Sequence, residues 1–137
     1  RNLLRLYHYV GQPSYLEHAE ATLQLFSRSM REQPFAHANM LVALDFHAQR
    51  PYEIVVVADP EMPASKILLE QIRRTYLPNR TLILAPPGSK VHLPPAAQGK
   101  GPVDGKPTVY VCRDMSCSPP VTCWSDLRPL LAVAKPE

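Results

Sequence analysis

The sequence predicts a mixed α+β chain in two parts: αα-hairpin helices, read as the end of an α/α barrel, over residues 1–50, and a small three-stranded parallel α/β unit over residues 51–137. Three observations carry this. Apolar residues recur at spacings of three and four up to residue 50, the period of a helix with one buried stripe. From Pro51 the pattern changes to continuous β-branched runs, as in strands covered on both faces. The first such run is joined to the next by a single helical stretch, which makes a βαβ unit.

Leu3, Leu6, Tyr7 and Val10 form the stripe of a first helix, ended by Gly11 as a C′ glycine. A second helix opens at Pro13, a favourable first-turn residue. Its stripe is Leu16, Ala19, Leu23, Phe26 and Met30, and it stops before Pro34. A third carries Met40, Leu41, Leu44 and Ala48 and stops before Pro51. The short connections make neighbouring helices antiparallel. A hairpin and a half lacks neighbours, so Leu3, Leu6, Leu23 and Phe26 are expected to contribute to an uncovered apolar surface, and the isolated chain to self-associate. The chain begins at Arg1, directly in a helical pattern, and a cut upstream is expected from this.

The run Glu53-Ile54-Val55-Val56-Val57-Ala58 is the first strand, turned by Asp59-Pro60. Residues 64–76 form a helix with Leu68, Ile72 and Tyr76 on one face, and residues 81–85 a second strand. Residues 86–107, rich in Pro, Gly and Lys, are a long loop of the kind that is often functional or mobile. Thr108-Val109-Tyr110-Val111-Cys112 is the third strand, expected parallel to the others. A short last helix takes Ser125 as its N-cap and Pro129 in its first turn.

Composition narrows the classes. With 45% apolar and 20% charged residues the chain has the makeup of a globular protein with a core. The formal charge is +3, and its basic side chains are scattered rather than set in a stripe with stacking aromatics, which argues against nucleic acid as a partner. No apolar run reaches the roughly 18 residues that span a bilayer, so no membrane partner is expected. No targeting segment opens the sequence; a secreted and a cytoplasmic location both stay open.

The sharpest chemical candidates are Cys112 and Cys117, two of three cysteines. Residues 113–116 are too polar to prolong a buried strand, so the chain must turn. That turn can bring Cys117 within bridging distance, for a disulfide or a redox pair. Against this stands the plain reading, which is preferred: Cys112 is a small core residue and Cys117 points elsewhere, since the Cys-x-x-Cys spacing is absent and only Arg113 stands near to activate a thiol. Cys112, Cys117, Cys123 and His92 supply four zinc-ligand types, but their gaps fit no paired knuckle, and no metal is expected. Asp59 and Cys112 should share the carboxyl edge of the sheet, where ligands bind. The turn there, Ala58-Asp59-Pro60-Glu61, is acidic and glycine-free, which disfavours phosphate and makes Asp59 chiefly a turn or cap residue. No nucleophile motif and no paired carboxylates stand out. No catalytic residue and no cofactor is expected.

Three stretches carry a resemblance: Asn2-Leu3-Leu4-Arg5-Leu6, Ile54-Val55-Val56-Val57-Ala58-Asp59-Pro60, and the segment from Asp104-Gly105-Lys106-Pro107-Thr108 through Cys112-Arg113-Asp114-Met115-Ser116-Cys117 to Ser118-Pro119-Pro120-Val121-Thr122. Together they resemble the C-terminal end of the family of thioredoxin-domain-containing proteins similar to spermatogenesis-associated protein 20. Cys123-Trp124 depart from the helix start usual in that family. The resemblance implies a larger protein: a thioredoxin-like domain, then a barrel of αα hairpins similar to six-hairpin glycosidases and sugar epimerases, then a closing α/β unit. Residues 1–50 would be the last barrel helices and residues 51–137 the closing unit. It implies a non-catalytic structural module linked to spermatogenesis or fertility, whose partners are the barrel and thioredoxin-like domain of the same protein. Two enzyme readings stay beside it. One is part of a redox enzyme using Cys112 and Cys117; the other is part of a carbohydrate-related barrel enzyme. A small-molecule site at the sheet edge near Asp59, shared with the barrel, is a further reading.

Overall fold

A computed structural model of the chain describes residues 1–89, 93–114 and 116–131. Helices α1 (Asn2–Val10), α2 (Pro13–Leu25), α3 (Ser27–Glu32) and α4 (Ala38–Ala48) come first. Strand β1 (Tyr52–Val57), helix α5 (Pro63–Arg74) and strand β2 (Arg80–Ala85) follow. A 3-10 turn (Pro95–Ala97), strands β3 (Thr108–Arg113) and β4 (Ser116–Cys117), and helix α6 (Trp124–Leu130) complete the described residues.

The helical half follows the apolar stripes. Leu4, Ala19, Leu23, Met30, Ala43 and Phe46 form one buried cluster, with Leu3, Leu16, Met40 and Leu41 packed against it. Gly11 ends α1 with φ +75°, and its N–H bonds the carbonyl of Tyr7. The expected second helix is broken in two at Phe26, which lies outside helical geometry between α2 and α3. The uncovered surface is only partly the one expected. Leu6 and Phe26 are exposed, whereas Leu23 is buried and Leu3 half-buried, because α1 and α4 close over the middle of α2. The structure gives a mixed α/β chain but does not itself display an α/α barrel.

The sheet has the order β2-β1-β3-β4 among the described residues. Strands β1 and β2 are parallel, with Ile54 opposite Leu82 and Val56 opposite Leu84, as the βαβ pattern requires. The expected all-parallel, three-stranded sheet is wrong in its third member. Strand β3 runs antiparallel to β1, with Val57 opposite Thr108 and Glu53 opposite Cys112, and β4 adds a fourth antiparallel strand. A third parallel strand needs a crossover that carries the chain back along the sheet. Among the described residues of 86–107 there is only the 3-10 turn and no α-helix to do so. The loop leaves the carboxyl edge after Ala85 and re-enters it at Thr108, so β3 must run back. As a result Cys112 lies at the amino end of β1, opposite Glu53, and shares no edge with Asp59.

Alternation along β1 divides the sheet into two faces. Ile54 and Val56, with Val109 and Val111 of β3, pack on Leu68, Leu69 and Ile72 of α5 and on Leu127 and Leu131 beside α6. Val55 and Val57, with Ile83 and Ala85, pack on Ala97 of the 3-10 turn, with Tyr110 at their side. Each fully buried Val, Leu or Ile among them contributes about 1.5–3 kcal/mol. The long loop is tied down: the Tyr110 hydroxyl donates to the Gly101 carbonyl at 2.8 Å, and the Val103 N–H donates to Thr108 Oγ1 at 2.8 Å. Helix α6 starts at Trp124 with Cys123, not Ser125, at the N-cap position. Pro129 therefore falls in its last turn, not its first.

Candidate functional site

The second face of the sheet also carries Glu53, which shares its side of β1 with Val55 and Val57. A carboxylate on a covered face needs a partner. It has one in His8 of α1, whose Nδ1 donates to Glu53 Oε1 at 2.8 Å, both side chains about one-fifth exposed. The next residue position across the sheet is Cys112. Between α1, the end of α4, the 3-10 turn and this amino end of the sheet lies a cleft of about 750 Å³. Its wall includes His8, His47, Arg50, Glu53, Lys100, Cys112 and Cys117. That volume falls in the range of small-molecule sites.

Cys112 and Cys117 are joined by a disulfide, with their Cα atoms 3.9 Å apart. They are directly opposite residues of β3 and β4. The neighbouring pair carries the ladder bond, the Ser118 N–H donating to the Val111 carbonyl at 2.8 Å. Cys112 and Cys117 thus occupy the narrow, non-hydrogen-bonded position, where side chains come closest. The preference for a Cys117 pointing elsewhere is overturned: the polar stretch after Cys112 closes a tight hairpin, with Asp114 at φ +52°, rather than a loop that leads away. Cys112 is buried and Cys117 exposed.

Charges around the hairpin are arranged in pairs. Arg50 Nη1 lies 3.0 Å from Asp114 Oδ1, and His47 Nε2 lies 3.3 Å from Glu20 Oε1. The Lys100 ammonium sits over the Tyr110 ring, 5.6 Å from its centroid. Arg113 reaches the opposite way, donating to the carbonyls of Gln49 and Arg50 just past the end of α4 and lying 4.9 Å over the Tyr52 ring. The contacts of Arg113 and Asp114 with Gln49 and Arg50 anchor the disulfide hairpin to the segment that ends the helical half.

The other sequence candidates lie elsewhere. Asp59 is exposed, and its Oδ1 accepts the N–H of Glu61 at 2.9 Å, a local turn contact. Cys123 is a free, exposed thiol 3.0 Å from Asp126 Oδ2. His92 lies outside the described residues, and among those described no three of His, Cys, Asp and Glu converge as metal ligands. The zinc set loses Cys112 and Cys117 to their mutual bond. Sequence reasoning missed Glu53 and His8. The available signal was the glutamate itself, placed by alternation on the same side as Val55 and Val57.

Among the described residues no helix is long and apolar enough to cross a membrane. No family model matches the chain, and no solved structure matches it. Curated relatives do. The chain is 34% identical over 133 residues to spermatogenesis-associated protein 20 of Rattus norvegicus, 33% to that of Mus musculus and 32% to that of Homo sapiens. Each match covers 95% of this chain and 17% of the relative. The chain thus spans about one-sixth of the length of the curated relatives it matches.

Proposed function

We propose that this chain is a non-catalytic packing module of a larger protein linked to spermatogenesis, closing the end of an α/α barrel that follows a thioredoxin-like domain. One observation carries the reading: the helical half leaves large apolar side chains uncovered. Phe35 is 97% and Leu25 78% exposed, and Leu6, Tyr9, Val10, Phe26, Val42 and Leu44 are also exposed. A groove of about 580 Å³ beside them is lined by Leu3, Leu4, Leu23 and Met40. Helices bury such surface only against neighbours, and patches of this kind mark packing or interaction sites. The similarity to relatives of which the chain spans 17% supports such a neighbour within the same polypeptide. The name of those relatives, spermatogenesis-associated protein 20, supports the link to spermatogenesis.

The test is the association state. Sedimentation of the isolated chain should show self-association that Phe35→Ser and Leu25→Ser weaken. In a chain extended to the length of the relatives, the same substitutions should lower stability instead of changing association. A clean monomer of the isolated chain at high concentration overturns the reading.

A further inference from the structure

We infer that the Cys112–Cys117 bond is a reversible thiol–disulfide exchange site, opened by a small thiol that enters the cleft and attacks the sulfur of Cys117. The inference is independent of the packing role proposed above. It starts from what the bond does not do. The two cysteines are five residues apart, so closing this short loop constrains the unfolded chain little. Strand β3 is held by its own pairing with β1 at five positions from Glu53–Cys112 to Val57–Thr108. The returning segment is held by Ser118 on Val111, and by Val109 and Val121, which exchange both N–H···O bonds at 2.8 and 3.0 Å. Arg113 and Asp114 anchor the hairpin to Gln49 and Arg50. The fold therefore survives loss of the bond.

What the bond does offer is access. Cys117 is exposed, Cys112 is buried, and both border the cleft of about 750 Å³. Exchange requires an incoming thiolate to reach one sulfur. Of the two residues only Cys117 is exposed, and exposed bonds are the labile ones. The thiolate bonds to Cys117 Sγ, the Cys112–Cys117 bond breaks, and its electron pair leaves on Cys112, which takes a proton. Arg50 and Lys100 share the cleft wall with the leaving sulfur. A second equivalent of thiol attacks the mixed disulfide at the thiol's own sulfur and releases Cys117. The chain gains two thiols and two protons, and two thiols become one disulfide.

The experiment uses the intact chain carrying Cys123→Ser, which removes the free thiol that does not line the cleft. With millimolar glutathione, alkylation and mass measurement should show two new thiols while the circular dichroism stays native. The rate should lie within about tenfold of that for the denatured chain, since an exposed sulfur needs no unfolding. In C112S/C123S, oxidised glutathione should add one tripeptide to Cys117. In C117S/C123S, addition to the buried Cys112 should be at least about tenfold slower, following access. Reduction only after denaturant, loss of the native fold on reduction, or equal reactivity of the two single cysteines overturns the inference.

Discussion

Arg113 Nη2 donates to the main-chain carbonyl of Gln49 at 2.6 Å, sixty-four residues away, and so joins the disulfide hairpin to the C-cap of α4. The same guanidinium donates from Nε to the Arg50 carbonyl at 3.1 Å and covers the Tyr52 ring. Carbonyls at a helix C-terminus lack intrahelical donors, and a cation there also meets the negative end of the dipole. Arg113→Met keeps much of the stem and removes these contacts. It should cost about 1–2 kcal/mol in urea unfolding, with a smaller loss for Arg113→Lys, which cannot span two carbonyls. No loss in either variant would mean that the hairpin is anchored by other groups.

That contact also shows how far the sequence can be read. Local signals were legible: Gly11 as the end of α1, the β1-α5-β2 unit, and the turn after Cys112. The direction of β3 was not, because it depends on where a 22-residue loop re-enters the sheet, and nothing local in Thr108–Arg113 encodes direction. Strand β4 is two residues long and too short to leave a pattern. The cleft was invisible for a related reason. His8 and Glu53 are 45 residues apart, and only the docking of α1 on the sheet brings them together.

Arg80 plays a comparable part at the end of α5. Its Nη1 donates to the carbonyls of Ile72 at 2.6 Å and Thr75 at 3.0 Å, and its Nη2 to that of Arg73 at 3.2 Å. Burial, and secondarily the charge of Arg5, hold its pKa below the ordinary guanidinium range. Because the folded value is the depressed one, the chain in its folded state binds this proton less tightly than when unfolded. The associated stability therefore rises with pH, but only in the strongly alkaline region where a guanidinium titrates. Across neutral pH the group stays charged and its bonds stay made. Arg80→Met should therefore lower stability by about 2–3 kcal/mol, equally at pH 6 and pH 8. A loss that changes between these two pH values would show that another group sets the effect.

Ser65 should behave in the opposite sense. It lies in the first turn of α5 and is fully buried, and its Oγ has no hydrogen-bond partner among the described residues. A buried hydroxyl without a partner carries its desolvation cost uncompensated. Ser65→Ala removes that cost, leaves little cavity and improves helix propensity. Thermal unfolding should shift upward, corresponding to a gain of about 1 kcal/mol. A loss of stability would reveal a bond to the hydroxyl, for example from an ordered water.

Gly11 joins the helix end to the cleft. Its φ of +75° is a conformation that costs an L-residue about 1–2 kcal/mol. A Cβ added there would stand 2.5 Å from Pro95 Cγ, in the 3-10 turn that lines the cleft. The proline ring is fixed to its backbone and cannot swing aside, so the turn must move or α1 must lift. Gly11→Ala should therefore cost more than the conformational term alone, about 2–4 kcal/mol in urea unfolding. The two contributions separate in a double-mutant cycle. Pro95→Ala relieves the clash but not the left-handed backbone, so G11A/P95A should recover the excess and keep a residual cost of about 1–2 kcal/mol. If Pro95→Ala rescues nothing, α1 and the 3-10 turn are not packed through this contact, and that wall of the cleft is looser than its geometry indicates.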